Sequence, residues 1–359
     1  MKSRMVWQRR RKEGCLAAAF FFVLLYVTLL CVFGADRYAF AEESTDGDVN
    51  FQEEAKEYSL NDFFFDTVIS IRFDTTEDGD ELLSGCRTIC SDLERTFSRT
   101  DEDSELYAVN HRNKDRVEVS APLAQLVQTG LDYYEISDGR FDITIAPVSD
   151  LWDFKSEDAS VPPEAEIQSA LRKVDGSKVH VESKEDASGQ LKWYLSFDEP
   201  DTMIDLGALV KGYAADLLAE YLKGNGVTSG LINLGGNVLA IGSKPDETKW
   251  KIGIQKPFES DIVDTVEVED QSVVTSGVYE RCFEEDGILY HHILDPETGY
   301  PVQSGLWGVS IISDSSLTGD ALSTVSMLLG QDAAMDLIRK TDGVWAIFVD
   351  DDLHVTRSE

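Results

Sequence analysis

Residues 204–241 read IDLGALVKGYAADLLAEYLKGNGVTSGLINLGGNVLAI. Leu209, Tyr213, Leu217 and Tyr221 recur every four residues, which predicts a helix over 208–223 with one apolar face. Gly224-Asn225-Gly226 stops it, because glycine accepts the left-handed conformation in which helices often end. Two short apolar runs follow, Leu231–Leu234 and Val238–Ile241, with Asn233-Leu234-Gly235-Gly236-Asn237 as a tight turn between two strands. A helix delivered straight into paired strands, without regular strand–helix–strand alternation, indicates an α+β fold.

The same pattern extends outward. Upstream, Phe63 to Phe73 (FFFDTVISIRF) has the β-branched and aromatic content of a strand, and 81–97 reads as an amphipathic helix. Another helix starts near Ser120, with Ala121-Pro122 in its first turn, and ends before Asp138-Gly139. A charged stretch from Lys155 to Asp201 holds a weak helix (164–174) and an alternating strand from Trp193 to Phe197. Downstream come apolar runs at Trp250–Ile254, Val309–Ile312 and Val344–Val349, with helical segments near 317–329 and 331–340 between the last two. No internal repeat or heptad is visible. The expected architecture is one continuous two-lobed α+β unit over residues 58–359.

Composition narrows the function. The 359 residues are 42% hydrophobic and 10% aromatic, as in a globular chain, and carry a formal net charge of -35. Such a surface repels nucleic acid, so nucleic-acid binding is set aside. The basic residues concentrate at the start, where residues 1–14 include Lys2, Arg4, Arg9, Arg10, Arg11 and Lys12. An uncharged apolar segment, 15–34, follows and is long enough to cross a bilayer. Its basic flank places the N-terminus inside and the remainder on the extracytoplasmic side of the cell membrane. The segment either stays as a signal anchor, which its length favours, or is cut after Ala39-Phe40-Ala41, which would release a secreted protein. Leu30 before Cys31 does not suit lipid attachment. Residues 35–57 form an acidic linker. Cys86, Cys90 and Cys282 make no disulfide framework. Cys86 and Cys90 fall on the apolar stripe of the 81–97 helix and are expected to be buried packing residues.

Several segments combine backbone freedom with ionisable groups: Asp138-Gly139-Arg140-Phe141-Asp142, the opening Ile204–Ala214 stretch, Val274-Thr275-Ser276-Gly277 with Tyr279 and Arg281, and Tyr290-His291-His292-Ile293-Leu294-Asp295-Pro296-Glu297-Thr298-Gly299. None is a Walker loop or a dinucleotide G-x-G-x-x-G fingerprint. In Asp320-Ala321-Leu322-Ser323-Thr324, a helix would put Asp320 and Thr324 on one face, offering two hard oxygens to one cation. Taken alone, the spacing fits equally a helix N-cap at Asp320 and a packed Thr324.

Taken in order, these blocks resemble the ApbE family, the FAD:protein FMN transferases, whose pattern is approximately F-D-x-T-x-x-P, D-L-G-x-x-x-K-G-Y-A, N-x-G-G-N, T-S-G-x-Y-x-R, H-I-x-D-P-x-T-G and D-A-L-S-T. The resemblance runs from about Phe65 to Gly330. It implies that Arg140, Phe141, Asp142, Asp205, Lys211 and Ile293 contact FAD. It implies Mg²⁺ held by the backbone carbonyl of Ala208 and by Asp320 and Thr324. The implied reaction moves FMN onto a threonine of an exported acceptor flavoprotein bearing a Thr/Ser flavinylation motif and releases AMP, with His292 as the candidate base. The chain carries no D-G-x-T-G-A-T motif of its own, so the acceptor is expected to be a separate protein. An FAD pyrophosphatase and a non-catalytic flavin-binding protein are the alternatives. This chain departs from the family at Phe65-Asp66-Thr67, where Met-Gly-Thr is common, at Thr100, where an aromatic is usual, and at Val278, where Asp is usual.

Overall fold

The structure is a computed structural model that describes residues 54–156 and 158–359. The basic N-terminus, the apolar segment 15–34 and nearly all of the linker lie outside the described residues. Among the described residues no helix is long and apolar enough to cross a membrane.

The stretch Phe63–Phe73 is not one strand. It bends at Phe65-Asp66, so that β1 (Lys56–Phe64) and β2 (Thr67–Thr75) form a hairpin with Phe64 opposite Thr67. Both turn residues have left-handed backbone, φ 54° at Phe65 and 58° at Asp66, as a type I′ turn requires. No glycine marks this turn in the sequence. It is held instead by distant residues: Glu94 accepts the Phe65 N–H at 2.8 Å, and Lys155 pairs with Asp66. The first strand starts at Lys56, before Tyr58, because β1 recruits the end of the acidic linker as an edge strand.

The hairpin opens an eight-stranded antiparallel sheet in the order β1-β2-β6-β7-β10-β13-β14-β15. The added strands are β6 (Ser229–Leu234), β7 (Asn237–Ile241), β10 (Ser272–Gly277), β13 (Leu306–Ser313), β14 (Trp345–Asp350) and β15 (Val355–Arg357). All the apolar runs read as strands downstream of residue 230 are strands. Side chains alternate between the two faces. Ile71, Ile232, Val309, Ile311 and Phe348 point to the main core, beneath α1 (Gly79–Phe97), α6 (Val210–Gly224) and α7 (Ser316–Leu329). Val273, Ile312 and Ile347 point to the other face, which the hairpin β8 (Trp250–Gln255) and β9 (Ile262–Val268) covers with Trp250, Ile254 and Val266. Both faces of the central strands are thus sealed, and β13 is buried along its whole length. Each such Ile, Val or Phe contributes about 1.5–3 kcal/mol of burial.

A second, three-stranded sheet, order β3-β5-β4, comprises β3 (Arg116–Val119), β4 (Val179–Glu185) and β5 (Leu191–Phe197), and packs with α3 (Ala121–Ile136). Short helices α2 (Glu105–Asn110), α4 (Ala146–Trp152), α5 (Glu164–Leu171) and α8 (Gln331–Ile338), a 3₁₀ turn (Gly176–Lys178) and a small hairpin of β11 (Cys282–Glu285) and β12 (Ile288–His291) complete the described elements. Three of the four longer helices carry ordinary caps: Asp78 accepts from Glu81, Ser120 from Leu123 and Ser315 from Thr318, while α6 has no side-chain cap. Cys86 and Cys90 are fully buried on α1, and burial pushes both thiols up to about 12, the state of inert packing residues.

Candidate functional site

The site grows from the crossing of α6 and α7. Gly212, in the first turn of α6, lies so close to α7 that an added Cβ would stand 2.4 Å from the Ser316 carbonyl oxygen and 2.8 Å from Asp320 Cβ. Only a residue without a side chain permits that approach. The Gly212 N–H then reaches across and donates to Asp320 Oδ2 at 2.8 Å. Asp216, two turns into α6, accepts from the Ser315 hydroxyl and from the backbone of Ser316 and Leu317, tying the start of α7 to the same helix. This cap, invisible to motif reading, fixes the register of the two helices.

Asp320 is 3% exposed. Burial pushes its carboxyl upward, opposed by the Lys211 ammonium and the Gly212 N–H. Lys211 Nζ stands 3.6 Å from Asp320 Oδ1 and 3.4 Å from the Gly207 carbonyl oxygen, which links Asp320 to the segment carrying Ala208. One turn along α7, the half-buried Thr324 hydroxyl lies 3.3 Å from Ser276 Oγ of β10, which in turn lies 2.7 Å from Ser323 Oγ. Lys211 thus joins a carboxylate to the backbone of a turn at the start of α6, and the Thr324 hydroxyl lies one helical turn further along α7. Among the described residues no group of three His, Cys, Asp or Glu side chains could hold a metal ion. The oxygen set here contains one carboxylate, so a cation at this place would depend on carbonyl, hydroxyl and external oxygens as well.

His292 stands near this centre, half-buried, with its Nδ1 shielded from solvent and without a hydrogen-bond partner. Burial, reinforced by the positive charges of Arg281 and Lys211, lowers it to about 3, so the imidazole is neutral at physiological pH. His291 is buried, hydrogen-bonded through Nε2 to the Val302 carbonyl at 3.1 Å, and burial lowers it to about 4. Glu280, on the loop after β10, was not singled out from sequence. It reaches solvent at the rim, but enclosure by the surrounding protein pushes it up to about 7, with Asp320 adding to the rise and Lys211 and Arg281 opposing it.

The remaining flavin-contact candidates are placed differently. Asp205 is held by two internal partners, accepting from the Gly207 N–H at 2.8 Å and pairing through Oδ2 with Arg99 Nε at 3.0 Å. Arg99 also pairs with Asp150. Asp142 is buried with both oxygens engaged, one by the Thr144 backbone and hydroxyl at 2.7 Å and the other by Gly176 N–H at 3.0 Å. Its side chain therefore braces the segment from inside. Phe141 is buried edge-on to Tyr133. Ile293 is buried, and its carbonyl accepts from Val302 N–H at 3.0 Å. Arg140 is apart from the Asp320 centre. It pairs with Asp295 at 3.3 Å and Glu297 at 3.1 Å, and lines an open cleft of about 690 Å³ with Asp295, Tyr300, Gln303 and Leu328. That cleft borders the histidine-bearing loop and does not include Asp320 or Lys211. The loop itself is anchored by Trp152, fully buried among Phe154, Tyr290 and Tyr300 and donating from Nε1 to the Gly299 carbonyl at 2.8 Å.

The family model for the ApbE family matches residues 65–348. The chain belongs to the ApbE family. Among its relatives, a protein of Klebsiella pneumoniae (strain 342) named FAD:protein FMN transferase is 36% identical over 250 residues, covering 69% of this chain and 75% of that protein. One of the same name from Treponema pallidum (strain Nichols) is 32% identical over 317 residues, 84% of this chain and 87% of the other. The solved ApbE protein of Thermotoga maritima superposes with a TM-score of 0.75 at 30% identity, over 85% of this chain and 97% of its own. The mixed α/β architecture of this chain is thus the ApbE fold.

Proposed function

We propose that this chain is an FAD:protein FMN transferase, acting on the extracytoplasmic side of a membrane, that attaches FMN through a phosphoester bond to a threonine of a separate exported flavoprotein and releases AMP. The relatives' names and the ordered motif blocks support the reaction class. The observation that carries the assignment is the Asp320 carboxylate: buried, fixed at one oxygen by Gly212, and faced at the other by an ammonium group, one helical turn from the Thr324 hydroxyl.

These residues fit Mg²⁺. Lys211 already stands in for a cation at Asp320, and the donors are hard oxygens: the Asp320 carboxylate, the Thr324 hydroxyl and the Ala208 carbonyl. Such a sparse protein set suits an ion that keeps waters and substrate phosphates as its other ligands. When bound, Mg²⁺ supplies positive charge to the pyrophosphate of FAD, offsetting the charge that develops on the leaving phosphate. The protein's own groups do the rest. Lys211 and Arg281 line the path of the phosphates with fixed positive charge. The threonine hydroxyl of the acceptor attacks the FMN phosphorus, the bond from that phosphorus to the bridging oxygen breaks, and AMP departs. His292 accepts the hydroxyl proton, since a neutral imidazole carries one ring nitrogen without a proton. Its basicity rises when the dianionic pyrophosphate offsets Arg281 and Lys211.

The test uses protein from residue 42 onward with FAD, Mg²⁺ and an acceptor bearing D-G-x-T-G-A-T. In-gel flavin fluorescence on the acceptor, abolished by EDTA and by Asp320→Ala, is expected. AMP and free FMN without labelling would make the chain a pyrophosphatase. FAD retained with neither product would leave a flavin-binding protein.

A further inference from the structure

We propose that Lys211 is a place-holder for the divalent cation: its ammonium occupies the side of Asp320 that the cation needs, and cation binding displaces it toward the phosphates of the incoming dinucleotide. The inference rests on the reading of Asp320 as a cation ligand and adds a coupling between the two binding events.

The two oxygens of Asp320 are unequal. Oδ2 is committed to the Gly212 N–H at 2.8 Å, a bond set by the helix crossing and independent of any ligand. Oδ1 is the oxygen that faces Lys211, at 3.6 Å. Charge-assisted N–H···O bonds run at about 2.7–2.9 Å, so the lysine is near the carboxylate without being locked to it. Its second contact, to the Gly207 carbonyl, is also long, at 3.4 Å. The Lys211 side chain is 26% exposed, leaving its long stem room to swing. The other charges facing this spot are Arg281 and Glu280 from the loop after β10 and Asp216 from α6, while His292 is neutral.

A divalent ion at Oδ1 and an ammonium at the same oxygen repel each other strongly in a site this enclosed. The ion therefore binds at the cost of moving Lys211. The displaced ammonium then lies free beside the newly charged centre, where a pyrophosphate is the group that relieves the repulsion. Cation and dinucleotide are consequently cooperative, and the coupling is reciprocal. In the absence of dinucleotide, Lys211 neutralises the buried carboxylate and keeps cation affinity low.

Two measurements test this. In the first, Mn²⁺ binding to the protein without FAD is followed at pH 8 by the EPR signal of the free ion. Lys211→Met is expected to bind Mn²⁺ about tenfold more tightly than the parent, from the unit charge removed at contact distance. Asp320→Asn is expected to lose the site. Unchanged or weaker binding in Lys211→Met, with Asp320→Asn silent, would overturn the place-holder while leaving the cation site standing. Binding that Asp320→Asn does not affect would overturn the cation site itself. The second measurement needs no variant. The acetylation rate of Lys211 in the parent protein, read by mass spectrometry, is expected to rise with Mn²⁺ alone and fall again when FAD is added. A rate that ignores Mn²⁺ would overturn the displacement.

Discussion

Gly212→Ala offers the sharpest test of how the helix crossing builds the site. The new Cβ would stand 2.4 Å from the Ser316 carbonyl oxygen, 2.7 Å from Leu317 Cα and 2.8 Å from Asp320 Cβ. Two of these three are main-chain atoms, so no rotamer change relieves them. Real Cβ contacts essentially never fall below 3.0 Å, so α6 and α7 must separate by at least about 0.6 Å at this point. Overpacking of one methyl in a tight core costs about 1–3 kcal/mol. The separation also stretches the Gly212–Asp320 hydrogen bond, and hydrogen bonds to charged groups are worth about 1.5–3 kcal/mol. The Asp216 cap resists the movement, since it binds the same two helices one turn further on. A urea denaturation midpoint and a transfer rate measured on the same preparation separate the two effects. The expected result is a stability loss of about 2 kcal/mol together with a transfer rate reduced about 100-fold under conditions where the variant is fully folded, because a small misplacement of Asp320 weakens every contact it makes. A folded variant with the parent's rate and midpoint would refute the reasoning, since the crossing would then not be what positions Asp320.

Three further predictions follow from the same geometry. Asp320→Asn keeps the shape and the Gly212 contact but removes the charge; it should retain the circular dichroism of the parent and lose EDTA-sensitive transfer by about 100-fold or more. His291 is held near 4 by burial, below its unfolded value of about 6.5, so the unfolded chain takes up the proton first as pH falls. Its contribution to stability is therefore intact above pH about 6.5 and is lost progressively toward pH 4, by about 3 kcal/mol at most, and urea midpoints of His291→Gln should fall less over that window than those of the parent. Trp152→Ala removes the fully buried ring and the donor to Gly299 that anchor the histidine-bearing loop, and should lower stability by about 3–5 kcal/mol in chemical denaturation.

Much of the fold was legible because it rests on local periodicity. The four-residue rhythm of Leu209, Tyr213, Leu217 and Tyr221 and the apolar run at 309–312 are each sufficient for their elements, and the structure places a helix and a strand there. The Phe65-Asp66 turn was missed because its left-handed backbone is enforced by Glu94 and Lys155, residues 29 and 89 positions away. The same limit applies to the site. Asp320 and Thr324 could be placed on one face from spacing alone, but not the proximity of Lys211, which depends on how two helices cross. Asp142 and Asp205 show the reverse case. The family resemblance implies that both contact FAD, and in the structure their oxygens are engaged by Thr144, Gly176, Gly207 and Arg99. Of those partners, Gly176 and Arg99 lie on other segments of the chain, so the sequence alone does not show them. Glu280 carried no signal at all, being a variable position inside a motif.

The central claim is that this chain moves FMN from FAD to protein. The most direct measurement is the intact mass of the acceptor, with AMP quantified in the same reaction mixture. The account predicts an acceptor heavier by FMN less one water, one AMP for each acceptor modified, and neither product when EDTA is present. AMP formed with the acceptor mass unchanged would contradict it.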